Sequence, residues 1–160
     1  MTFWNGTYSL VSVDPETSAL GVCVSTAFPA VGSVVPHAEF GVGAIATQGY
    51  TNTWHGVNGL KLLRTGLSSQ TALEALLKDD PKREMRQVSI IDKLGRKAVF
   101  TGKETLEWRG HIIGENCIAA GNSLVSGEVV KAMVNVFENS NGWLAERLMQ
   151  ALEAVSYTHL

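Results

Sequence analysis

The sequence predicts an α+β fold in which two antiparallel sheets pack together and helices cover both outer faces. The first observation is element order: strands, then two helices, then strands, then two more helices. The second is what that order lacks, since a doubly wound parallel sheet alternates single helices with strands. The third is composition. With 45% hydrophobic and 18% charged residues in 160, the chain can bury a core of ordinary globular size.

Each element has a local reason. Thr7 to Val13 alternates polar and apolar residues, Leu20 to Ser25 is small and β-branched, and Asp14-Pro15-Glu16-Thr17-Ser18 between them is a turn. The pair is expected to form a hairpin. Ala30 to Ala38 and Gly41 to Gly49, rich in Val, Ala and Gly, read as strands buried on both sides. A helix is expected from about His55 to Arg64, with Gly66 closing it. A second starts at an N-cap, Ser68, lines one face with Ala72, Leu73, Leu76 and Leu77, and stops at Asp79-Asp80-Pro81. Gln87 to Asp92 and Arg96 to Thr101 form a hairpin across Lys93-Leu94-Gly95. A strand follows over Glu115 to Ala120. Two helices end the chain, Gly127 to Phe137 capped by Ser126, and Trp143 to Ala154.

Several function classes are disfavoured at this level. A net charge of −2 gives no general attraction to phosphate backbones or anionic lipid. The densest basic cluster, Lys82, Arg83 and Arg86, is interleaved with Asp79, Asp80 and Glu84, so no nucleic-acid partner is expected. No stretch is long enough to span a membrane, and residues 1–6 lack the features of a secretory signal. Cys23 and Cys117 sit in apolar runs and read as buried reduced thiols, which fits a cytoplasmic protein. His37, His55 and His111 have no ligand spacing, so no metal is expected. The glycines form no phosphate-binding loop, and no cofactor is expected. Trp4, Trp54, Trp108 and Trp143 are scattered and read as core or interface packing.

The blocks Thr7-Tyr8-Ser9-Leu10-Val11, Asp14-Pro15-Glu16-Thr17, Ala30-Val31-Gly32-Ser33-Val34-Val35-Pro36 and Gly41-Val42-Gly43-Ala44-Ile45-Ala46-Thr47-Gln48 occur in that order. They are followed by Arg86-Gln87-Val88, Phe100-Thr101-Gly102 and Ala120-Gly121-Asn122. Together they resemble the domain-of-unknown-function family 1028 from about Thr7 to Ala154. The resemblance implies a four-layer αββα sandwich of the Ntn-hydrolase type. It also implies that the domain, residues 1–155, is incomplete at its C-terminus, because such domains continue past the last helix. Residues 156–160 are similar to a translated sequencing-adapter scar and are set aside, His159 with them. The chain departs from the family at Ala120, where Gln is frequent.

An Ntn hydrolase attacks a carbonyl carbon with the side chain of the chain's first residue and uses the freed α-amine, of ordinary pKa ~7.7–8.0, as general base. On the resemblance, Thr7 is the candidate nucleophile and residues 1–6 a short propeptide, with Gly6 tolerating the backbone that self-cleavage needs. Thr2 and then Ser9 are rivals, and Thr7 is equally readable as a strand opener. Glu39 is a candidate for orienting the amine or lies idle on a rim. Gln48 and Asn122 offer amide donors for an oxyanion, or satisfy turn backbone. Ser25 and Ser33 line the pocket or merely end strands. Arg86 binds a substrate carboxylate or pairs with Asp79, Asp80 or Glu84. The function implied is hydrolysis of an amide bond in a small molecule or peptide. The alternative is an inert ligand-binding or assembly module of the same fold, with cell-wall peptides as ligands. Pairing of copies through the helical layers is expected by analogy.

Overall fold

The structure, a computed structural model, describes residues 6–156. The proposed propeptide residues 1–5, with Thr2 and Trp4, and residues 157–160 lie outside the described residues. Eight strands are described: β1 (Thr7–Val13), β2 (Leu20–Thr26), β3 (Pro36–Glu39), β4 (Gly43–Gly49), β5 (Arg86–Asp92), β6 (Lys97–Thr101), β7 (Gly110–Ile113) and β8 (Cys117–Asn122). The helices are α1 (Thr53–Arg64), α2 (Ser69–Lys78), α3 (Glu128–Asn139) and α4 (Leu144–Ser156). The strands form two four-stranded sheets, ordered β2-β1-β8-β7 and β3-β4-β5-β6, and every pairing is antiparallel.

Three apolar clusters hold the layers together. Tyr8 and Leu10 of the first sheet pack against Met133, Phe137 and Leu148 of α3 and α4. Ile45, Val88 and Ile90 of the second sheet pack against Leu63 and Leu73 of α1 and α2. Between the sheets lie Val11, Val13 and Ile118 from one side and Ala44, Ala46 and Ile91 from the other. Side chains alternate along a strand, so each strand feeds one helical cluster and the intersheet cluster in turn. The layer order is helices, sheet, sheet, helices. This explains why Gly41 to Gly49 reads as a strand buried on both sides, and β5 shares that environment: Gly43 to Gln48 and Arg86 to Asp92 are buried throughout.

Local chemistry sets most boundaries. Asn52 caps α1 by accepting from Trp54 N, and Ser68 caps α2 by accepting from Thr71 N. Gly66, at φ +94°, turns the chain after α1 in a conformation that side chains disfavour. The expected strand from Ala30 is shorter than read. Residues 31–33 form a 3-10 turn, and pairing begins only at Pro36. Strand β7 has no counterpart in the sequence reading, because four residues leave too little alternation to detect. The cap of α3 is Gly127 rather than Ser126, although Ser126 Oγ still accepts from Glu128 N at 3.3 Å. Helix α4 runs one residue into the segment set aside, through Ser156.

Cys23 and Cys117 are free and buried, and burial pushes both thiols up to about 12. His37 packs its ring on Gly56, where an added Cβ would come within 2.2 Å of it. Of the tryptophans, Trp108 packs against the α3–α4 cluster, whereas Trp54 and Trp143 are exposed, contrary to a core role for them.

Candidate functional site

Two rows of side chains meet at one end of the intersheet space. In the first sheet, register sets Thr26, Thr7 and Asn122 side by side across β2, β1 and β8. They share strand parity with Val24, Val11 and Ile118, so they face inward. In the second sheet, Gln48, Gln87 and Thr101 are neighbours across β4, β5 and β6 and share parity with Ala46, Ile91 and Val99.

Gln87 joins the rows. It is fully buried, and its Nε2 donates to Gly121 O (2.9 Å), Gly110 O (3.0 Å) and Thr101 Oγ1 (2.9 Å). Backbone carbonyls only accept, so the nitrogen of Gln87 must face them and its oxygen must point the other way. That oxygen accepts from Gln48 Nε2 (2.7 Å) and Asn122 Nδ2 (3.1 Å). Gln48 Nε2 also donates to Ala120 O (3.2 Å), which commits both of its hydrogens and leaves its Oε1 buried without a partner. The expectation of a spare donor on Gln48 is thereby corrected, because the network consumes it. Asn122 donates one hydrogen to Gln87 and keeps the other. Replacing Gln87 by leucine should strand carbonyls and amides in both sheets. A urea titration should show a loss of about 2–3 kcal/mol, since each stranded buried group costs roughly 1–3 kcal/mol.

Beside these rows opens a cavity of about 820 Å³. Thr7, Thr26, Gln48 and Asn122 line its polar end. Phe28, Pro29, Val31, Val34 and Val35 form one wall; Tyr50, Met85, Thr105 and Leu106 complete it. The segment that failed to form a strand therefore shapes the wall. Thr7 is half-buried, directly follows buried Gly6, and its Oγ1 shares a 2.8 Å hydrogen bond with Thr26 Oγ1. Thr26 Oγ1 in turn accepts from Phe28 N at 3.2 Å, which fixes the hydroxyl beside Thr7. Gly49, at φ +80°, lets β4 leave the sheet beside the cavity; a Cβ there would meet Met85 O at 2.7 Å.

The other sequence candidates lie elsewhere. Glu39 pairs with Gly43, at the opposite end of β4 from Gln48, because β3 runs antiparallel to β4. Its carboxylate is taken by Arg64, whose Nε donates to Oε1 at 2.9 Å. Ser25 shares parity with Cys23 and so faces the helices rather than the cavity. Ser33 turns its Oγ onto Ala30 O at 2.8 Å and does not line the cavity. Of the two readings of Arg86, the geometry has the ion pair. Its Nε and Nη2 bind Asp80 at 2.8 and 3.2 Å, and its Nη1 donates to Tyr50 O.

Asp80 also receives His55 Nε2 at 3.1 Å, so a buried His55–Asp80–Arg86 cluster ties the start of α1, the end of α2 and the start of β5. The Arg86 guanidinium, with a backbone bond from Lys82 N, holds the Asp80 carboxyl down at about 2. Burial, only partly offset by Asp80, holds His55 below its ordinary value. Among the described residues, no three His, Cys, Asp or Glu side chains form a metal-holding group, and no helix is long and apolar enough to cross a membrane.

Sequence reasoning missed Thr26, Gln87 and the rim residue Glu104. Gln87 had a signal, a glutamine in a strand with Val88, Ile90 and Ile91, whose amide must find partners when buried. Thr26 is found only through its register with Thr7.

The profile of a family of unknown function, DUF1028, matches residues 7–157. The crystal structure of a DUF1028 protein from Silicibacter pomeroyi is similar to this one with a TM-score of 0.92 and 33% identity, covering 96% of this chain and 68% of that one. No curated protein matches. The chain belongs to the DUF1028 family.

Proposed function

We propose that the chain is an Ntn-type amidohydrolase that uses Thr7 as an N-terminal nucleophile, in a sandwich of the Ntn-hydrolase type. The layer order of helices and sheets supports the fold half of this reading. The observation that carries the chemical half is the place of Thr7: first residue of a strand, inward-facing, and lining the cavity with its hydroxyl held by Thr26. Once the bond between Gly6 and Thr7 is hydrolysed, Thr7 Oγ1 attacks a substrate carbonyl carbon and its proton passes to the Thr7 amine. The free Asn122 hydrogen faces charge that develops on the carbonyl oxygen, in the way amide donors stabilise oxyanions. The amine then protonates the leaving nitrogen, the C–N bond breaks, and water hydrolyses the acyl ester. Gln87 contributes by fixing Asn122.

Intact mass and N-terminal sequencing test the maturation step. A mature chain that begins at Thr7 is expected; a protein that retains Gly6 after prolonged incubation removes the mechanism. The second reading, a catalytically inert binding module, draws on a specific observation. Gln48 has spent its donors and Glu39 lies remote from Thr7, so of the candidate helpers only Asn122 is beside it.

A further inference from the structure

We infer that the cavity takes a ligand with an apolar body and a neutral or amine-bearing tail, and discriminates against carboxylate-bearing ones. This deepens the proposed function by naming a substrate class, and it rests on that reading only for the chemistry, not for the binding.

Charge distribution is the first argument. Among the described residues that line the cavity there is no Lys, Arg or His, and the one carboxylate is Glu104. Glu104 is exposed on the rim, and its side chain has no ion pair or hydrogen bond among the described residues. Lys103 is exposed beside Glu104 and Arg109 pairs with Glu107 at 2.8 Å, and neither lines the cavity. Arg86 is bound by Asp80, while Lys82 lies against the Tyr50 ring at 5.3 Å and lines no part of the cavity.

The second argument is the wall. Phe28, Val31, Val34, Met85 and Leu106 offer apolar surface, and Phe28 and Leu106 are 70% and 72% exposed. An apolar group that covers them gains the transfer energy of the area removed from water, about 25 cal/mol per Å². An anion at the Glu104 rim finds no lysine, arginine or histidine in the lining and meets the like charge of Glu104. An ammonium tail meets the opposite sign. The Thr7 hydroxyl and the remaining Asn122 amide hydrogen are available to the ligand's amide, and Glu104 is the charged group its tail can meet.

The test uses hydrocinnamoyl amides of ethylenediamine, ethanolamine and glycine, which share the apolar body and amide but end in an ammonium, a hydroxyl and a carboxylate. Calorimetric titration of wild-type protein and of Thr7→Ala should rank them in that order. The ammonium amide should bind about fivefold tighter than the hydroxyl one, the upper end for an exposed ion pair. The glycine amide should bind about fivefold weaker than the hydroxyl one, since a like-charge pair at that exposed position costs about what an opposite pair gains. Glu104→Gln, an exposed substitution, should erase the ammonium preference. Equal binding of the glycine amide, survival of the ammonium preference in Glu104→Gln, or no binding of any of the three overturns the inference. The same ranking on Thr7→Ala, in a protein whose wild type is never acylated, removes the hydrolase and keeps the ligand class.

Discussion

Asp80→Ala is expected to lower unfolding stability by about 3–5 kcal/mol, the range found when one partner of a buried ion pair is removed. Arg86 and His55 stay behind, with side chains 8% and 5% exposed, and the arginine loses both of its charged contacts. Three segments loosen together because the carboxylate joins α1, α2 and β5, and Arg86 also holds the Tyr50 carbonyl at the cavity. Urea titration of wild type and variant measures the difference. A loss below about 1 kcal/mol would mean that water reaches the cluster and screens it.

The same cluster gives a pH dependence. Asp80 has a folded pKa of about 2 against an ordinary 3.8, so its contribution is complete above about 4 and drains away as pH falls toward 2. His55 acts in the same sense at higher pH. Its folded pKa lies below the ordinary 6.5, so the unfolded chain takes up the proton first and stability begins to fall below that value. The wild type should therefore lose stability in two stages on acidification, with the lower one absent in Asp80→Ala.

Thr7→Ala is expected to abolish covalent labelling by a β-lactone or activated amide, a loss on the order of a thousandfold or more, as when a nucleophile is deleted. Folding should be little affected, because the side chain makes one hydrogen bond, to Thr26, worth about 1 kcal/mol. Thr7→Ser keeps an attacking hydroxyl and should label, which separates chemistry from shape. Thr26→Ala frees the Thr7 hydroxyl to rotate and should slow labelling while leaving Thr7 the modified residue. Equal labelling of wild type and Thr7→Ala, mapped by peptide mass, would end the nucleophile assignment.

Much of the fold was legible in the chain. The hairpins β1–β2 and β5–β6, the cap Ser68 and the turn at Gly66 arise from neighbours in sequence, so periodicity and turn chemistry report them directly. Arg86 pairing with Asp80 was one of the two sequence readings, since the residues are only six apart. Glu39, Ser25 and Ser33 were harder, because which face or end of a strand a residue occupies depends on the partner strand's direction and register.

The sequence by itself determined the alternation of strands and helix pairs, the antiparallel two-sheet class and the absence of a broad basic surface. Only the tertiary structure decided that Thr7, Thr26 and Asn122 form one row, that Gln87 reaches it from the other sheet, and that Gln48 has no donor left. Local propensity acts over a few residues, whereas these contacts join positions 19 to 115 apart in the chain. The directions in the amide network follow from first-sheet carbonyls that meet the Gln48 and Gln87 side chains only once the two sheets have packed.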